Sequence, residues 1–317
     1  MNTLDLFAGA GGLSFGLEKA GFDPYLGIEF DESACQTYRK NISAPCIKAD
    51  LTELTPQNAP VSKDQVELIA GGPPCQDFSV ANYYSRGGQK TNLVFVFSKW
   101  VNELEPEYFI MENVPGITSV GNVFHDLLEI FHNSGYKTTS KILNSEYFSV
   151  PQKRKRMFII GSKEDTLEID QPNLKQKNVG EAFRGLPSIN SGEEDKTINN
   201  HKAPNHQQKT IKRIKQTKQG ESLYDSWSEK IKLDPDKPAP TLKAGKRANF
   251  HFAHPSDNRG LTIRERARLQ SFPDSFIFKG TITDQRTQTG NAVPPNMSKY
   301  IGECLLGSEK SKGVFDY

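Results

Sequence analysis

The sequence predicts an α/β fold, a parallel sheet with helices on both faces, on three observations. Short apolar runs alternate with helical patterns through the first half, a glycine-rich turn follows the first run, and the alternation stops after Gly161. Strand–helix–strand units read this way in sequence. In chain order, Thr3–Phe7 is a buried strand, and Leu13, Leu17 and Ala20 mark the helix behind its glycine turn. Tyr25–Glu29 is a second strand, and Asp31 caps a helix that runs to Asn41. Pro45–Lys48 and Val66–Ala70 read as further strands, Leu93–Leu104 as a helix and Tyr108–Met111 as a strand. Val123–Phe131 is helical, and Met157–Ile160 closes the series. From about Ser162 to Gly260 the chain is polar, with a strongly basic stretch over Lys209–Lys218. Leu223, Tyr224, Trp227, Phe250 and Phe252 give this region apolar anchors, so a small folded domain is expected there rather than disorder. Helical periodicity returns at Leu261–Phe272, where Pro273 stops it, and again at Met297–Leu306.

Composition narrows the function. The 317 residues carry 40 Lys+Arg against 38 Asp+Glu, a formal charge of +2. That balance hides a split. Residues 1–150 hold 10 basic and 18 acidic side chains, and residues 151–317 hold 30 and 20, so the two parts carry −8 and +10. A basic part beside an acidic one suggests that one region meets a polyanion, although two solvated surfaces of opposite sign would give the same numbers. No apolar run approaches the roughly 18–20 residues that span a bilayer. The first cation is Lys19, which does not suit a secretory signal. Cys35, Cys46, Cys75 and Cys304 form no C-x-x-C pair, which argues against a zinc ribbon or a disulfide scaffold. A protein of the reducing cytoplasm, without membrane or metal, is expected.

Three turns carry chemistry. Phe7-Ala8-Gly9-Ala10-Gly11-Gly12 follows the first strand, where glycines let the backbone turn sharply and approach a ligand. Glu29, at the end of the second strand, lies where a ribose-binding carboxylate belongs, but Ser14 stands at the third glycine position of a dinucleotide fingerprint. A Rossmann-like turn without a clear pyrophosphate cradle favours a nucleoside such as S-adenosylmethionine over NAD. Gly71-Gly72-Pro73-Pro74-Cys75-Gln76 follows another strand, and its prolines would hold a thiol in place. A thiolate there would be a nucleophile; the alternative, a buried structural cysteine, suits Cys35, Cys46 and Cys304 better. Glu112-Asn113-Val114 places a carboxyl on the same sheet edge, either as a proton donor or as a cap or ion pair. Gln152-Lys153-Arg154-Lys155-Arg156 precedes the last strand, and alternation points Arg154 and Arg156 the same way.

Those motifs, followed by Arg264-Glu265-Arg266-Ala267-Arg268-Leu269-Gln270 and Gly290-Asn291-Ala292-Val293-Pro294-Pro295, occur in one order along the chain. That order strongly resembles the cytosine-5 DNA methyltransferase family of bacterial and phage restriction–modification systems, over residues 3–161 and 260–306. The resemblance implies a Rossmann-like S-adenosylmethionine-dependent methyltransferase sheet with a smaller inserted target-recognition domain. The expected bounds are 1–164 for the catalytic domain, 165–280 for the insertion and 281–317 for the return. It implies that Cys75 attacks carbon 6 of a flipped-out cytosine, that Glu112 holds and protonates ring nitrogen 3, and that Arg154 and Arg156 hold the base and its backbone, with oxygen 2 assigned to Arg156. For the cofactor it implies Phe7 and Phe30 on the adenine, and Ala8, Gly9, Gly11 and Gly12 around the methionine part. Glu29 would take the ribose and Asp50 the adenine amino group, with Pro74, Leu93, Asn291 and Ala292 lining the site.

The resemblance also makes Gln76–Asn92, with Gln76, Ser79 and Arg86, a loop that closes over double-stranded DNA. Lys209, Lys212, Arg213, Lys215 and Lys218 would touch phosphates, and Arg247 and Asn249 would read bases. A monomer is expected, with a restriction endonuclease reading the same site as its functional counterpart. An RNA cytosine methyltransferase shares the chemistry. An amino-group methyltransferase would carry an aromatic residue after Pro-Pro, an NAD oxidoreductase leaves Pro-Pro-Cys unexplained, and a non-catalytic relative would not need Cys75, Glu112 and both arginines.

Overall fold

The structure is a computed structural model that describes residues 1–74, 93–224, 230–244 and 251–307. The described residues form two compact units: those within 1–144, 155–171 and 297–307 make the first, and those within 145–154 and 172–296 the second. These bounds differ from 164/165 and 280/281, and they move residues 145–154 into the second unit.

The first unit is a seven-stranded sheet. Its strands are β1 (Asn2–Leu6), β2 (Asp23–Glu29), β3 (Cys46–Lys48), β4 (Leu68–Gly71), β5 (Tyr108–Asn113), β6 (Lys137–Asn144) and β7 (Lys155–Ser162), in the spatial order β3-β2-β1-β4-β5-β7-β6. The first five pair in parallel, and β7 runs antiparallel to both β5 and β6. The strand order therefore reverses at β1, between β2 and β4, and ligands of open α/β sheets bind outside the carboxyl ends at such a point. β6 was not expected from the sequence. Its run KTTSKILN is polar because the strand lies at the sheet edge with much of its length exposed.

Helices α1 (Gly12–Ala20), α2 (Glu32–Asn41), α3 (Leu93–Leu104) and α4 (Val123–Asn133) connect these strands. Asp31 caps α2 by accepting from Ala34 N at 2.9 Å, as expected. Leu4 and Leu6 pack into one core with Phe97, Trp100 and Val101 of α3, Leu127 and Phe131 of α4, and Phe109 and Met111 of β5. Two-residue alternation turns Thr3 and Asp5 of β1 to the other face, where Ser14 of α1 and Tyr38 of α2 lie.

The second unit contains α5 (Val179–Phe183), α6 (Gln208–Gln216), α7 (Ile263–Leu269), α8 (Ile282–Asn291) and a two-stranded parallel ribbon, β8 (Ile231–Lys232) with β9 (Phe252–Ala253). Its apolar core gathers Val179, Ala182, Phe183, Leu233, Leu242, Phe252, Leu261 and Leu269. The helix expected over Leu261–Phe272 is shorter, and capping boxes at Thr262 and Thr281 start α7 and α8. Helix α9 (Pro295–Leu305) crosses the unit boundary. In the first unit Gly302 of α9 lies so close to α1 that a Cβ there would stand 2.8 Å from Ala20 Cβ. No described helix is long and apolar enough to cross a membrane.

Candidate active site

The carboxyl ends of β1, β2, β4 and β5 share one sheet edge, and each delivers part of the site. The turn after β1 bends sharply: Phe7, Gly9 and Gly11 have φ of 55°, 54° and 87°. Glycine adopts these angles freely, but in Phe7 they store of the order of 1–3 kcal/mol of strain, a cost tolerated mostly at functional sites. A Cβ at Gly9 would meet nothing within 4 Å among the described residues. Glu29, at the end of β2, closes it from the side. Its Oε2 accepts from Gly9 N at 2.8 Å and its Oε1 from Asp31 N at 2.9 Å. Burial pushes the Glu29 carboxyl above the ordinary range. Phe30, next in the chain, is 68% exposed, an unusual position for a large apolar ring. Asp50 lies two residues past β3, with Oδ1 accepting from Thr52 N and Oγ1.

A second group forms where β4 and β5 end. In the β5–β7 ladder Phe158 lies opposite Glu112, so Arg156 is the diagonal neighbour on the same face. Accordingly, Arg156 Nε sits 2.7 Å from Glu112 Oε1, with both side chains largely buried. A Cβ at Gly72 would stand 3.1 Å from Glu112 Oε2, and Asn113 Nδ2 donates to Pro73 O at 3.2 Å. Thus Gly72 permits the close approach of the Gly-Gly-Pro-Pro turn, and Asn113 ties that turn to β5. Neither role was read from the sequence, although Gly72 and Asn113 both lie inside its motifs. Pro74 is exposed, and Leu93 is half-buried at the start of α3. Cys75, Gln76, Ser79 and Arg86 lie outside the described residues, as do Arg247 and Asn249.

The two arginines of the Gln-x-Arg-x-Arg motif part company. Arg154 belongs to the second unit and is fully buried. Its Nη1 donates to Leu242 O at 3.0 Å and its Nη2 to Gly290 O at 2.8 Å. Gln152 beside it donates to Leu269 O and accepts from Leu242 N. The Arg154 guanidinium thus donates to two backbone carbonyls, whereas Arg156 lies against Glu112. Asn291 is exposed at the end of α8 in the same unit, and Ala292 is half-buried.

In the second unit Lys209, Lys212, Arg213, Lys215 and Lys218 are all exposed along or just beyond α6, while Ile214 of that helix is buried against Leu223 and Ala253. Arg213 is held locally. It lies 4.5 Å from the centre of the Tyr224 ring and donates to Leu223 O.

Comparison with known proteins identifies relatives of the chain. A family model described as C-5 cytosine-specific DNA methylase matches residues 1–306. The type II methyltransferase M1.HphI of Haemophilus parahaemolyticus is 35% identical over 96% of this chain and 87% of its own length. M.DdeI of Desulfomicrobium norvegicum, also a type II methyltransferase, is 34% identical over 96% and 88%. Among solved structures, a prophage-encoded E. coli protein described as a DNA modification methyltransferase superposes with a TM-score of 0.79 at 27% identity, covering 97% of this chain and 99% of that one. The S. pombe Dnmt2 methyltransferase, at 17% identity and a TM-score of 0.67 over 97% and 98% of the two chains, shares the fold.

Proposed function

The chain belongs to the C-5 cytosine-specific DNA methylase family and is a DNA cytosine-5 methyltransferase of the restriction–modification type, and on that premise we propose the reaction in detail. It methylates carbon 5 of a cytosine flipped out of a short sequence in double-stranded DNA, through an adduct between Cys75 and carbon 6. The observation that supports this most directly is the Glu112–Arg156 pair beside the Gly72-Pro73-Pro74 turn. It puts a carboxyl group, oriented by a guanidinium, against the Gly72-Pro73-Pro74 turn that precedes Cys75 in the sequence.

The Cys75 thiolate attacks carbon 6, and the ring's electrons move toward carbon 5 and nitrogen 3. Glu112 donates a hydrogen bond and then a proton to nitrogen 3, and Arg156 fixes the carboxyl and reaches oxygen 2. After methylation a base takes the carbon 5 proton, and elimination returns the thiolate. S-adenosylmethionine supplies the electrophilic methyl group. The residues present fit that donor: a Gly9 with no described residue within 4 Å of where a Cβ would stand, a carboxylate at the end of β2 for a ribose diol, and an exposed aromatic ring in Phe30. Phe7 and Phe30 take the adenine faces, Glu29 the ribose, Asp50 the amino group, and Gly9 and Gly11 admit the methionine part.

The second unit reads the duplex, with the lysines of α6 on phosphates. The enzyme acts in the cytoplasm as a monomer, alongside a restriction endonuclease of the same specificity.

A random-sequence duplex library incubated with the protein and S-adenosylmethionine, then sequenced after bisulfite treatment, tests this reading. Protected cytosines should share one sequence context, and the variant Cys75→Ser should protect none while still binding DNA. Full conversion of the library by the wild-type protein, or robust turnover by Cys75→Ser, would overturn it.

A further inference from the structure

The buried arginines of the second unit, Arg154, Arg259, Arg264, Arg266 and Arg268, all donate to carbonyls, hydroxyls or carboxylates. Arg286, half-buried on α8, differs. Among the described residues its guanidinium makes no hydrogen bond, ion pair or ring contact. Partial burial strips water from a guanidinium, a cost that none of its five donors offsets within the fold.

Helix α8 sets this side chain beside a second cation that lacks a counter-charge. Gln285, Gln288 and Thr289 turn inward, which leaves position 286 at the border of the buried face. Arg266 of α7 is buried, and its acceptors are all neutral: Thr289 Oγ1 at 3.0 Å, Arg286 O at 3.1 Å and Lys243 O at 3.2 Å. One nitrogen of Arg266 thus joins the main chains of Arg286 and Lys243, and the Lys243 side chain is exposed. Burial first, and then the charge of Arg286, hold Arg266 below the ordinary arginine range. No carboxylate among the described residues pairs with either guanidinium. The sequence that continues from Lys243, Ala244-Gly245-Lys246-Arg247-Ala248-Asn249-Phe250, adds two cations and no acid.

We propose that Arg286 is a phosphate-binding residue, presenting its planar fork to one backbone phosphate of duplex DNA beside Lys243. This rests on the reading of the second unit as the part that binds the duplex. The phosphate supplies the counter-charge that this pair of arginines lacks, and Arg266 holds the Arg286 main chain in place from beneath. The contact differs from those expected along α6, where Lys212 and Lys215 are exposed. Arg286 is partly desolvated and springs from a fixed helix, so it holds one phosphate in one register and carries no sequence information itself.

Anisotropy titrations of the full chain with a labelled random-sequence duplex in graded salt, set beside urea unfolding, test the proposal. Arg286→Gln should weaken duplex binding about tenfold, the scale of one charged hydrogen-bonded contact, and flatten the logarithmic salt slope by about 0.9. Its urea midpoint should stay at or above the wild-type value, since no protein contact is lost and repulsion with Arg266 is relieved. Arg286→Lys should keep the slope and recover part of the affinity, because the charge remains while the fork is lost. Bisulfite sequencing should find the same context protected by Arg286→Gln as by the wild type. A midpoint that drops together with affinity makes Arg286 structural and overturns the proposal, as does an unchanged salt slope. A changed context also overturns it, since that marks a base reader. A wild-type chain that binds no duplex overturns the reading of the second unit itself, and this inference falls with it.

Discussion

In the first unit, seven strands satisfy one another's backbone groups, and apolar side chains such as Leu4, Ile28, Phe109, Met111 and Ile159 fill the core. The second unit has few ladders, with strands of two residues and a helix of five, so many carbonyls need other partners. Buried arginines supply them. Arg264 donates to the carbonyls of Asn199, Pro273 and Phe276. Arg266 reaches those of Lys243 and Arg286, and Arg268 those of Ala182 and Arg184. Arg259 donates to both oxygens of buried Glu265 and to Ile189 O. Burial pulls Arg264 down to about 10 and Arg266 to about 9, so both remain charged near neutral pH. A guanidinium presents five donors in a fixed fork, which lets one helix, α7, fasten several irregular segments at once. Regular ladders fix the positions of reacting groups. Guanidinium ties hold a chain that must follow an irregular path.

The sharpest way to break this contrast is Arg264→Met, which keeps most of the volume and removes all three ties. It should cost about 3–5 kcal/mol in urea unfolding, since the carbonyls stay buried without donors. Hydrogen exchange should rise across Asn199–Phe276 and stay slow in β1, β4 and β5; a uniform rise would mean that the two units do not differ as described.

The sheet should fail instead through volume. At Gly161 of β7 a Cβ would lie 2.0 Å from the Phe109 ring. Gly161→Ala should therefore cost about 1–3 kcal/mol by thermal melting, and Phe109→Leu in the same chain should recover part of the loss. Full additivity of the two would contradict that contact.

Acidity separates the units by sign. His254 Nδ1 accepts from Ser256 N and Asp257 N, and burial lowers its pKa. Its contribution to the second unit is present above the ordinary histidine value of about 6.5 and is lost as pH falls below it. Asp5 does the opposite. Its contribution to the first unit is full below the ordinary aspartate value of about 3.9 and is lost as pH rises through about 7. Exchange protection followed between about pH 5 and 7 should rise in the second unit and fall around β1. His254→Gln and Asp5→Asn should each flatten one trend, and parallel trends in both units would refute the assignment.

The smallest effect on stability belongs to the surface of α6. Lys212→Ala with Lys215→Ala should change stability by no more than about 0.5 kcal/mol. Duplex affinity should nevertheless fall, and its logarithmic salt slope should flatten by about 2, near 0.9 per lost phosphate contact. Anisotropy titrations in graded salt measure this, and an unchanged slope would move the contacts elsewhere.

Much of the sheet was legible because buried strands are written as apolar runs, and Glu29 and Glu112 because each follows one. The edge strand β6 was not, since an exposed strand keeps a polar sequence. The arginines of α7 were visible as a motif but not as an interior, because arginine is ordinarily a surface residue. Arg154 and Arg156 looked equivalent by alternation, and only the tertiary partners, two carbonyls for one and Glu112 for the other, separate them. Asp5 was the signal passed over: a charged residue inside a buried strand calls for a reason.

Ser298 of α9 donates to the Gly12 carbonyl at 3.1 Å, joining the glycine turn to a residue that the ribosome adds only after the whole excursion from Pro172 to Asn296. Translation therefore imposes an order. A nascent chain can lay down all seven strands early, but this tie between α9 and the glycine turn forms only after residues 172–296 have been synthesised.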